Sequence, residues 1–288
     1  MPRSVQENII ASYQTSGGFI VHDCEMLKKI YRILDINPQR SLDNRIYELE
    51  GITHFFQRGV IALANKLGIN ENDYVLSPGE GSGAPSRLLV KLFGCKITGI
   101  DVNPDQVRKA RELALLHGIS KKVEYYEQSV NKFLLDKKDF TKAFINETCV
   151  HWQEKEIAFK RISQHLKKGA KIGFNLWLKG REGTLNDAYD FIPEFRNLYR
   201  QGIWFQRDLD AYKSLLELSG FAVLEAYECT DKIDIKIRAR LAAEKQWETY
   251  EKIMGFYAKE SAINYYRGML KTHYRFLRYG VIVAQKIK

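Results

Sequence analysis

Three glycines, an aspartate and a glutamate–histidine pair are the residues of this chain best suited to chemistry. Gly79, Gly81 and Gly83 lie in DYVLSPGEGSGAPS, residues 73–86. A short apolar run before them (Tyr74, Val75, Leu76) reads as a buried strand, and a helix begins near Ala84. Glycine lets backbone come close to a ligand without a Cβ in the way. Asp101 closes the next apolar run, KITGID, about twenty residues after the first glycine. At the carboxyl end of a second strand its carboxylate can accept hydrogen bonds from ribose hydroxyls. Strand, glycine turn, helix, strand and acid together describe an α/β cradle for a nucleoside-bearing cofactor. Glu147 and His151 follow the apolar run AFIN. A helical turn there puts both side chains on one face. His151 could then act as a base near neutral pH. Glu147 could accept a hydrogen bond from an amine or steady a developing cation.

Two cofactors fit the loop. Gly79, Gly81 and Ala84 satisfy the dinucleotide fingerprint GxGxxG/A. Gly83 adds the GxGxG spacing used where S-adenosylmethionine replaces NAD. The loop alone leaves both open, along with a turn that serves packing only.

These residues need a scaffold, and the pattern supplies one. Strands are expected at Tyr74–Ser77, Lys96–Asp101, Val123–Gln128, Ala143–Thr148 and Lys171–Leu178, alternating with helices. Asn103, Pro104 and Gln106 form a helix start with cap, first-turn proline and a glutamine at the third position. This alternation implies a mostly parallel sheet with helices on both faces. After residue 178 the order changes: Gly180–Gly202 shows no clear period, FAVLEAYECT reads as a strand, and FLRYGVIVAQKIK closes the chain as another. The expected fold is a Rossmann-like, doubly wound α/β sheet of seven strands ending in an antiparallel pair, with N-terminal helices and a helical cap insertion. The division expected is a lid at 1–50, a cofactor-binding core at 51–180, a cap and substrate region at 181–275, and a final core strand at 276–288.

Composition sets the remaining bounds. The chain has 288 residues, 45% of them hydrophobic, enough for one large domain or a core with a cap. No run of 18 apolar residues occurs, so no membrane span is expected. The N-terminus lacks a signal-peptide pattern. Four scattered cysteines without a CxxC point to a reducing, cytoplasmic setting. No metal-ligand spacing is present. The net charge of +10 fits nucleic acid, an anionic small substrate or a solvated basic surface, and the positive residues are spread rather than blocked.

In this order and spacing the motifs resemble the class I S-adenosylmethionine-dependent methyltransferases over roughly residues 50–178, with the last strand added. The likeness is to the small-molecule group that includes tocopherol, sterol, cyclopropane-fatty-acid and prenyl-diphosphate C-methyltransferases and some amine N-methyltransferases. VLSPGEGSG resembles the first motif, GIDVNPDQVRKARE the second, NETCVHW the ESxxH segment, and HLKKGAKIGF the turn into strand five. The resemblance implies that Gly79, Gly81 and Gly83 face the methionyl part of S-adenosylmethionine and that Asp101 holds the ribose diol. It further implies that Val102 packs on the adenine, that Gln106 reaches ribose or adenine, and that Ser129 and Val130 make an adenine contact. Asn146 and Glu147 would stand beside the reacting methyl group. The chain departs from the family at Ser77 and Ser129, where acids are usual. Tyr13 is a candidate from an N-terminal lid. Trp177, Arg240 and Trp247 are candidates for the acceptor side, Trp177 and Trp247 with a packing role as the competing reading.

The expected activity is methyl transfer to a small-molecule acceptor, with carbon or nitrogen the favoured target and an anionic acceptor among the candidates. A nucleic-acid methyltransferase is disfavoured because strand four ends in NETC, not D/NPPY, and no Pro-Cys nucleophile is present. Two rival activities remain for the glycine loop: an NAD(P)-dependent oxidoreductase, and a non-catalytic module that holds the cofactor without turnover. The sequence leaves a homo-oligomer open.

Overall fold

The structure, a computed structural model, describes residues 4–15, 24–40, 55–136, 139–193, 202–242 and 256–288. Helices α1 (Val5–Thr15), α2 (Cys24–Ile33) and α3 (Phe56–Leu67) precede the first strand. Then follow β1 (Tyr74–Pro78), α4 (Ala84–Phe93), β2 (Lys96–Asp101), α5 (Pro104–Leu116), β3 (Val123–Glu127) and β4 (Phe140–Asn146). A single 3-10 turn at Cys149–His151 leads to α6 (Lys155–His165) and β5 (Leu166–Lys179). The chain continues through α7 (Leu185–Phe191), α8 (Leu209–Leu218), β6 (Phe221–Glu228), α9 (Thr230–Leu241) and α10 (Phe256–Thr272) to β7 (Leu277–Lys286).

The strands form one seven-stranded sheet in the order β3-β2-β1-β4-β5-β7-β6. β1 to β5 run parallel, and β7 inserts antiparallel between β5 and β6. This is the doubly wound sheet with a closing antiparallel pair that the sequence predicts. The inner parallel strands are covered on both faces, while edge strand β3 leaves Glu124 and Tyr126 exposed. Val75 and Phe144 face the layer of α3, α4 and α5, while Leu76 and Ile145 face the layer of α6 and α8. All four are fully buried. Alternation along a two-sided strand sends successive side chains into separate cores.

Local sequence explains why the elements stop and start where the site needs them. Asn103 caps α5, its Oδ1 accepting from the amides of Asp105 at 3.0 Å and Gln106 at 3.4 Å, and Pro104 takes the first helical position. The order of strands reverses on either side of β1, toward β2 and toward β4. In open α/β sheets ligands bind beyond the carboxyl ends of the strands at such a switch point.

Several boundaries differ from expectation. β4 starts at Phe140, three residues early, because its polar start is paired: Thr141 donates to Asp73 at 2.6 Å and Lys142 stands 3.3 Å from the same carboxylate. β5 starts at Leu166, so the KKG segment expected as a tight turn lies inside an irregular strand, with a register shift against Phe140 and Lys142. Residues 185–191, expected to lack periodicity, form α7 behind a capping box of Thr184 and Asp187.

Candidate functional site

A cavity of about 460 Å³ opens at the carboxyl ends of β1, β2 and β4, where the switch point lies. Its volume lies within the range of small-molecule and cofactor pockets. Ser77, Gly79, Gly81, Asp101, Val102, Gln106, Ser129, Val130, Asn146, Glu147, His151 and Trp177 all line it. Thus the residues singled out along more than 100 positions of sequence converge on one space.

The three glycines of the loop do different things. All have positive φ, which disfavours any residue with a Cβ. A Cβ on Gly81 would meet nothing within 4 Å, so this residue opens to the cavity. A Cβ on Gly79 would fall 1.9 Å from Thr148 Oγ1, and one on Gly83 would fall 2.8 Å from the Tyr125 hydroxyl. Gly79 therefore makes room for the turn after β4, and Gly83, which does not line the cavity, for β3. Of the three, Gly79 and Gly81 line the cavity, and Gly81 alone leaves open space where a Cβ would stand.

Asp101 is held from both sides. Its Oδ2 accepts the Gly81 amide at 2.8 Å and its Oδ1 the Asn103 amide at 2.9 Å. Burial pushes its pKa up, and those two amides together with that of Val102 oppose the shift. A carboxylate has about four acceptor positions, so with three amides on it Asp101 keeps room to accept a ribose hydroxyl. Ile100, Val102 and Val130 give apolar lining beside it, and Gln106, Gln128 and Ser129 give polar edges. An acid aimed at a diol, an open glycine and an apolar slot match an adenosyl group. Ser77 carries no charge to this space, and its hydroxyl donates to the Phe144 carbonyl at 3.1 Å.

At the other end stands Glu147. Its backbone is left-handed, with φ of 61°. Trp177 donates its indole N–H to Oε2 at 2.9 Å, and the Phe55 amide donates to Oε1 at 3.1 Å. A non-glycine residue in this conformation is strained and persists where its surroundings over-determine it. Here the tether is the backbone bond from the Glu147 amide to the Asn175 carbonyl at 2.9 Å. Neighbouring Asn146 lines the cavity and accepts from Asn175 Nδ2 at 2.7 Å.

His151 is buried at 9% exposure, and its Nδ1 lies 2.9 Å from the Ile203 carbonyl. A carbonyl only accepts, so Nδ1 carries the proton and Nε2 is the acceptor nitrogen of the neutral ring. Burial lowers its pKa to about 4, with nearby Lys155 adding to the shift and the Ile203 carbonyl opposing it. The imidazole therefore stays neutral through the physiological range, and its basicity is weaker than the neutral-pH base that sequence position suggests. The 3-10 turn, not an α-helix, brings His151 and Glu147 to the same cavity.

Sequence reasoning missed Trp204. Its ring stacks on Trp177 at 5.7 Å and 9°, and lies 4.9 Å from His151. Segment 203–205 is fastened to the turn after β4: the Phe205 amide donates to the Val150 carbonyl at 2.7 Å. Buried Lys155 adds bonds to the carbonyls of Trp152 at 2.6 Å and Phe205 at 2.5 Å. No local signal marks this clasp. α1 also reaches the cavity, through Val5, Gln6 and Ile9, together with Ser4 just before it. Tyr13 falls on α1 and Arg240 on α9, but their side chains, and all of Trp247, lie outside the described residues. Among the described residues no group of acids, histidines and cysteines could hold a metal ion.

Comparison with known proteins agrees with this geometry. Residues 75–169 match the family model described as a methyltransferase domain. The sterol 24-C-methyltransferase of Kluyveromyces lactis is 28% identical over 197 residues, covering 66% of this chain and 52% of that protein. The Saccharomyces cerevisiae sterol 24-C-methyltransferase is 27% identical over 197 residues, covering 66% of this chain and 50% of that protein. The chain spans about half the length of these curated relatives. Among solved structures, phosphoethanolamine N-methyltransferase 2 of Haemonchus contortus, in complex with phosphomonomethylethanolamine and S-adenosylhomocysteine, superposes with a TM-score of 0.76 at 15% identity. That match covers 100% of this chain and 61% of the other. Geranyl diphosphate C-methyltransferase of Streptomyces coelicolor A3(2) gives a TM-score of 0.62 at 15% identity, covering 99% and 98%. At these identities the structural likeness is one of fold.

Proposed function

We propose that this chain, a member of the class I methyltransferases, uses S-adenosylmethionine to methylate a small-molecule acceptor. The observation that carries the reading is Glu147, a carboxylate held through both oxygens in the cavity that also receives Gly81 and Asp101. Bound there, S-adenosylmethionine supplies a methyl group on a cationic sulfur.

The chain's own residues then align and desolvate. Asp101 takes the ribose diol, Gly81 lets the backbone close on the ligand, and Val102 and Val130 bracket the adenine. Glu147 sits beside the acceptor, where its charge steadies a cation forming on carbon or accepts a proton from nitrogen. His151 offers Nε2 as an acceptor without carrying charge. Trp177, buried at 5% exposure, both donates to Glu147 and presents an aromatic wall. A wall of this kind suits an alkene or amine that becomes cationic. Sterol, prenyl diphosphate and phosphoethanolamine acceptors of the similar proteins fall in these classes.

We assign α1 to a lid over the cofactor, with Tyr13 on it, and residues 181–275 to the acceptor side, with Arg240 and Trp247 among its contacts. An anionic group on the acceptor fits the excess of lysine and arginine over acids within residues 235–273. Among the described residues no helix is long and apolar enough to cross a membrane. The four cysteines are unbridged, which suits a reducing, cytoplasmic setting.

The test is calorimetric titration with S-adenosylhomocysteine and with NAD, followed by transfer of labelled methyl into a small-molecule extract. Binding of S-adenosylhomocysteine and label in a metabolite are expected. Preference for NAD, or label in RNA only, overturns the reading.

A further inference from the structure

Beneath the glycine loop lies a buried carboxyl that methyl transfer does not use. Glu80 stands between Gly79 and Gly81 and is 5% exposed. A Cβ on Gly99 of β2 would fall 2.9 Å from Glu80 Cγ and 2.7 Å from Tyr125 Cδ1. The Glu80 side chain therefore runs under the loop and over β2, in space that only a glycine at position 99 leaves open. Its Oε1 accepts the Ser86 amide at 3.0 Å. That amide belongs to the first turn of α4, where N–H groups have no partner within the helix. The residue preceding α4 is Gly83, which has no side chain to cap it. Glu80 reaches in from three residues earlier and takes the place of the missing cap.

The rest of the loop also rests on buried polar groups. Arg87, 2% exposed, donates Nη1 to the Ser82 carbonyl at 2.5 Å. Gly83 lies directly over Arg87 and the Tyr125 hydroxyl. Glu80 Oε2 is buried without a hydrogen-bond partner among the described residues. Burial raises the Glu80 pKa, against the hydroxyls of Ser77 and Ser86 and the charge of Arg87. Burying a carboxyl costs free energy unless hydrogen bonds or an opposite charge offset it. Ser77, at the position where the family usually has an acid, donates to the Phe144 carbonyl and also stands beside the Glu80 carboxyl.

We infer that Glu80 is the positioning residue of the cofactor loop: as acceptor for the Ser86 amide it holds GEGSG in the shape that turns Gly81 toward the cavity, in place of an acid at position 77. The inference rests on reading the cavity as the adenosyl cofactor's site.

Calorimetric titration of the full chain with S-adenosylhomocysteine tests it, with a melting curve for each variant. Glu80→Met keeps the bulk and removes the acceptor, so affinity falls by about tenfold or more. Glu80→Gln keeps an acceptor oxygen and stays within about threefold of the unmodified chain. Gly99→Ala presses on Glu80 Cγ and on the Tyr125 ring from outside the loop. It weakens binding in the unmodified chain and adds little in Glu80→Met, as expected for coupled neighbours. Glu80→Met within about twofold of the unmodified chain overturns the inference, and so does Glu80→Gln as weak as Glu80→Met. If Glu80→Met does not fold, Gly99→Ala decides: unchanged affinity overturns the inference, and weakened affinity with an unchanged melting point upholds it. No binding by the unmodified chain overturns the cofactor reading itself, an outcome distinct from the failure of the variants.

Discussion

Trp177 and Glu147, thirty residues apart in sequence, are joined by an indole N–H to carboxylate bond of 2.9 Å across the ends of β4 and β5. The bond ties the aromatic wall of the cavity to its acid, so moving one moves the other. Trp177→Phe keeps an aromatic ring and deletes the donor. A hydrogen bond to a charged group contributes about 1.5–3 kcal/mol, so a loss of roughly ten- to a hundredfold in kcat is expected. Affinity for S-adenosylhomocysteine should hardly change, because Asp101 and Gly81 are untouched. Glu147→Gln should cost more, on the order of a hundredfold or above. Steady-state kinetics on the identified acceptor, beside titration of the cofactor product, separate the two effects. Equal losses in binding and turnover for Trp177→Phe would place the residue with the cofactor instead.

His151 makes stability depend on pH in a definite direction. Its folded pKa is about 4, below the ordinary value of 6.5. Between those values the unfolded chain binds a proton that the folded chain refuses. Stability is therefore complete above about pH 6.5 and declines as pH falls toward about 4, by roughly 3 kcal/mol in all. Urea midpoints at pH 7 and pH 5 should separate more for the unmodified chain than for His151→Gln. The kcat profile should show no ionisation near pH 6.5 from this ring. An equal pH dependence in the variant would mean that His151 is protonated in the fold.

The residues proposed to hold the cofactor are legible because their signals are local. A strand, three left-handed glycines, an acid after the next strand and the Asn103–Pro104 cap each show within a few positions. Other features depend on contacts that sequence does not display. Trp204 matters because segment 203–205 folds back on the turn after β4, and no spacing announces that. Helix α7 is only seven residues long, too short for periodicity to show, although Thr184 and Asp187 offered its capping box. The early start of β4 hides behind Thr141 and Lys142, polar residues whose partner Asp73 lies in the turn before β1. Glu80 carries no local mark of burial, because the space that takes its side chain is left by Gly99 on another strand.

Lys155 should reveal itself at alkaline pH. It is 1% exposed, and burial lowers its pKa from 10.5 to about 8. Between those values the unfolded chain keeps a proton that the folded chain has released, so stability rises with pH across that window. From pH 7.5 to pH 9.5 the expected gain is about 2 kcal/mol. Lys155→Met lacks it, and the difference between the two urea midpoint shifts measures the residue. The same variant leaves the Trp152 and Phe205 carbonyls without their ammonium donor. Loosening of the clasp should appear as lower kcat at unchanged cofactor affinity. Identical alkaline shifts in both proteins would mean that the ammonium is as well solvated as a surface lysine.

Gly79 and Gly81 should fail in opposite ways, although both are left-handed and two residues apart. At Gly81 alanine meets open space, so the fold bears only the backbone penalty of about 1–2 kcal/mol. Its methyl group, however, enters the cavity where the cofactor must approach, so affinity for S-adenosylhomocysteine should fall by about tenfold or more. At Gly79 the added Cβ would lie 1.9 Å from Thr148 Oγ1 and 2.6 Å from Thr148 Cβ. Either β1 or the turn carrying Glu147 must shift, and a stability loss of about 3 kcal/mol or more is expected, in the range of overpacked sites. Gly79→Ala combined with Thr148→Gly should recover most of that loss and leave only the backbone penalty. Melting curves and titrations on the three variants give the comparison. Gly79→Ala as stable as Gly81→Ala would show that the turn after β4 yields easily and does not hold Glu147 in place.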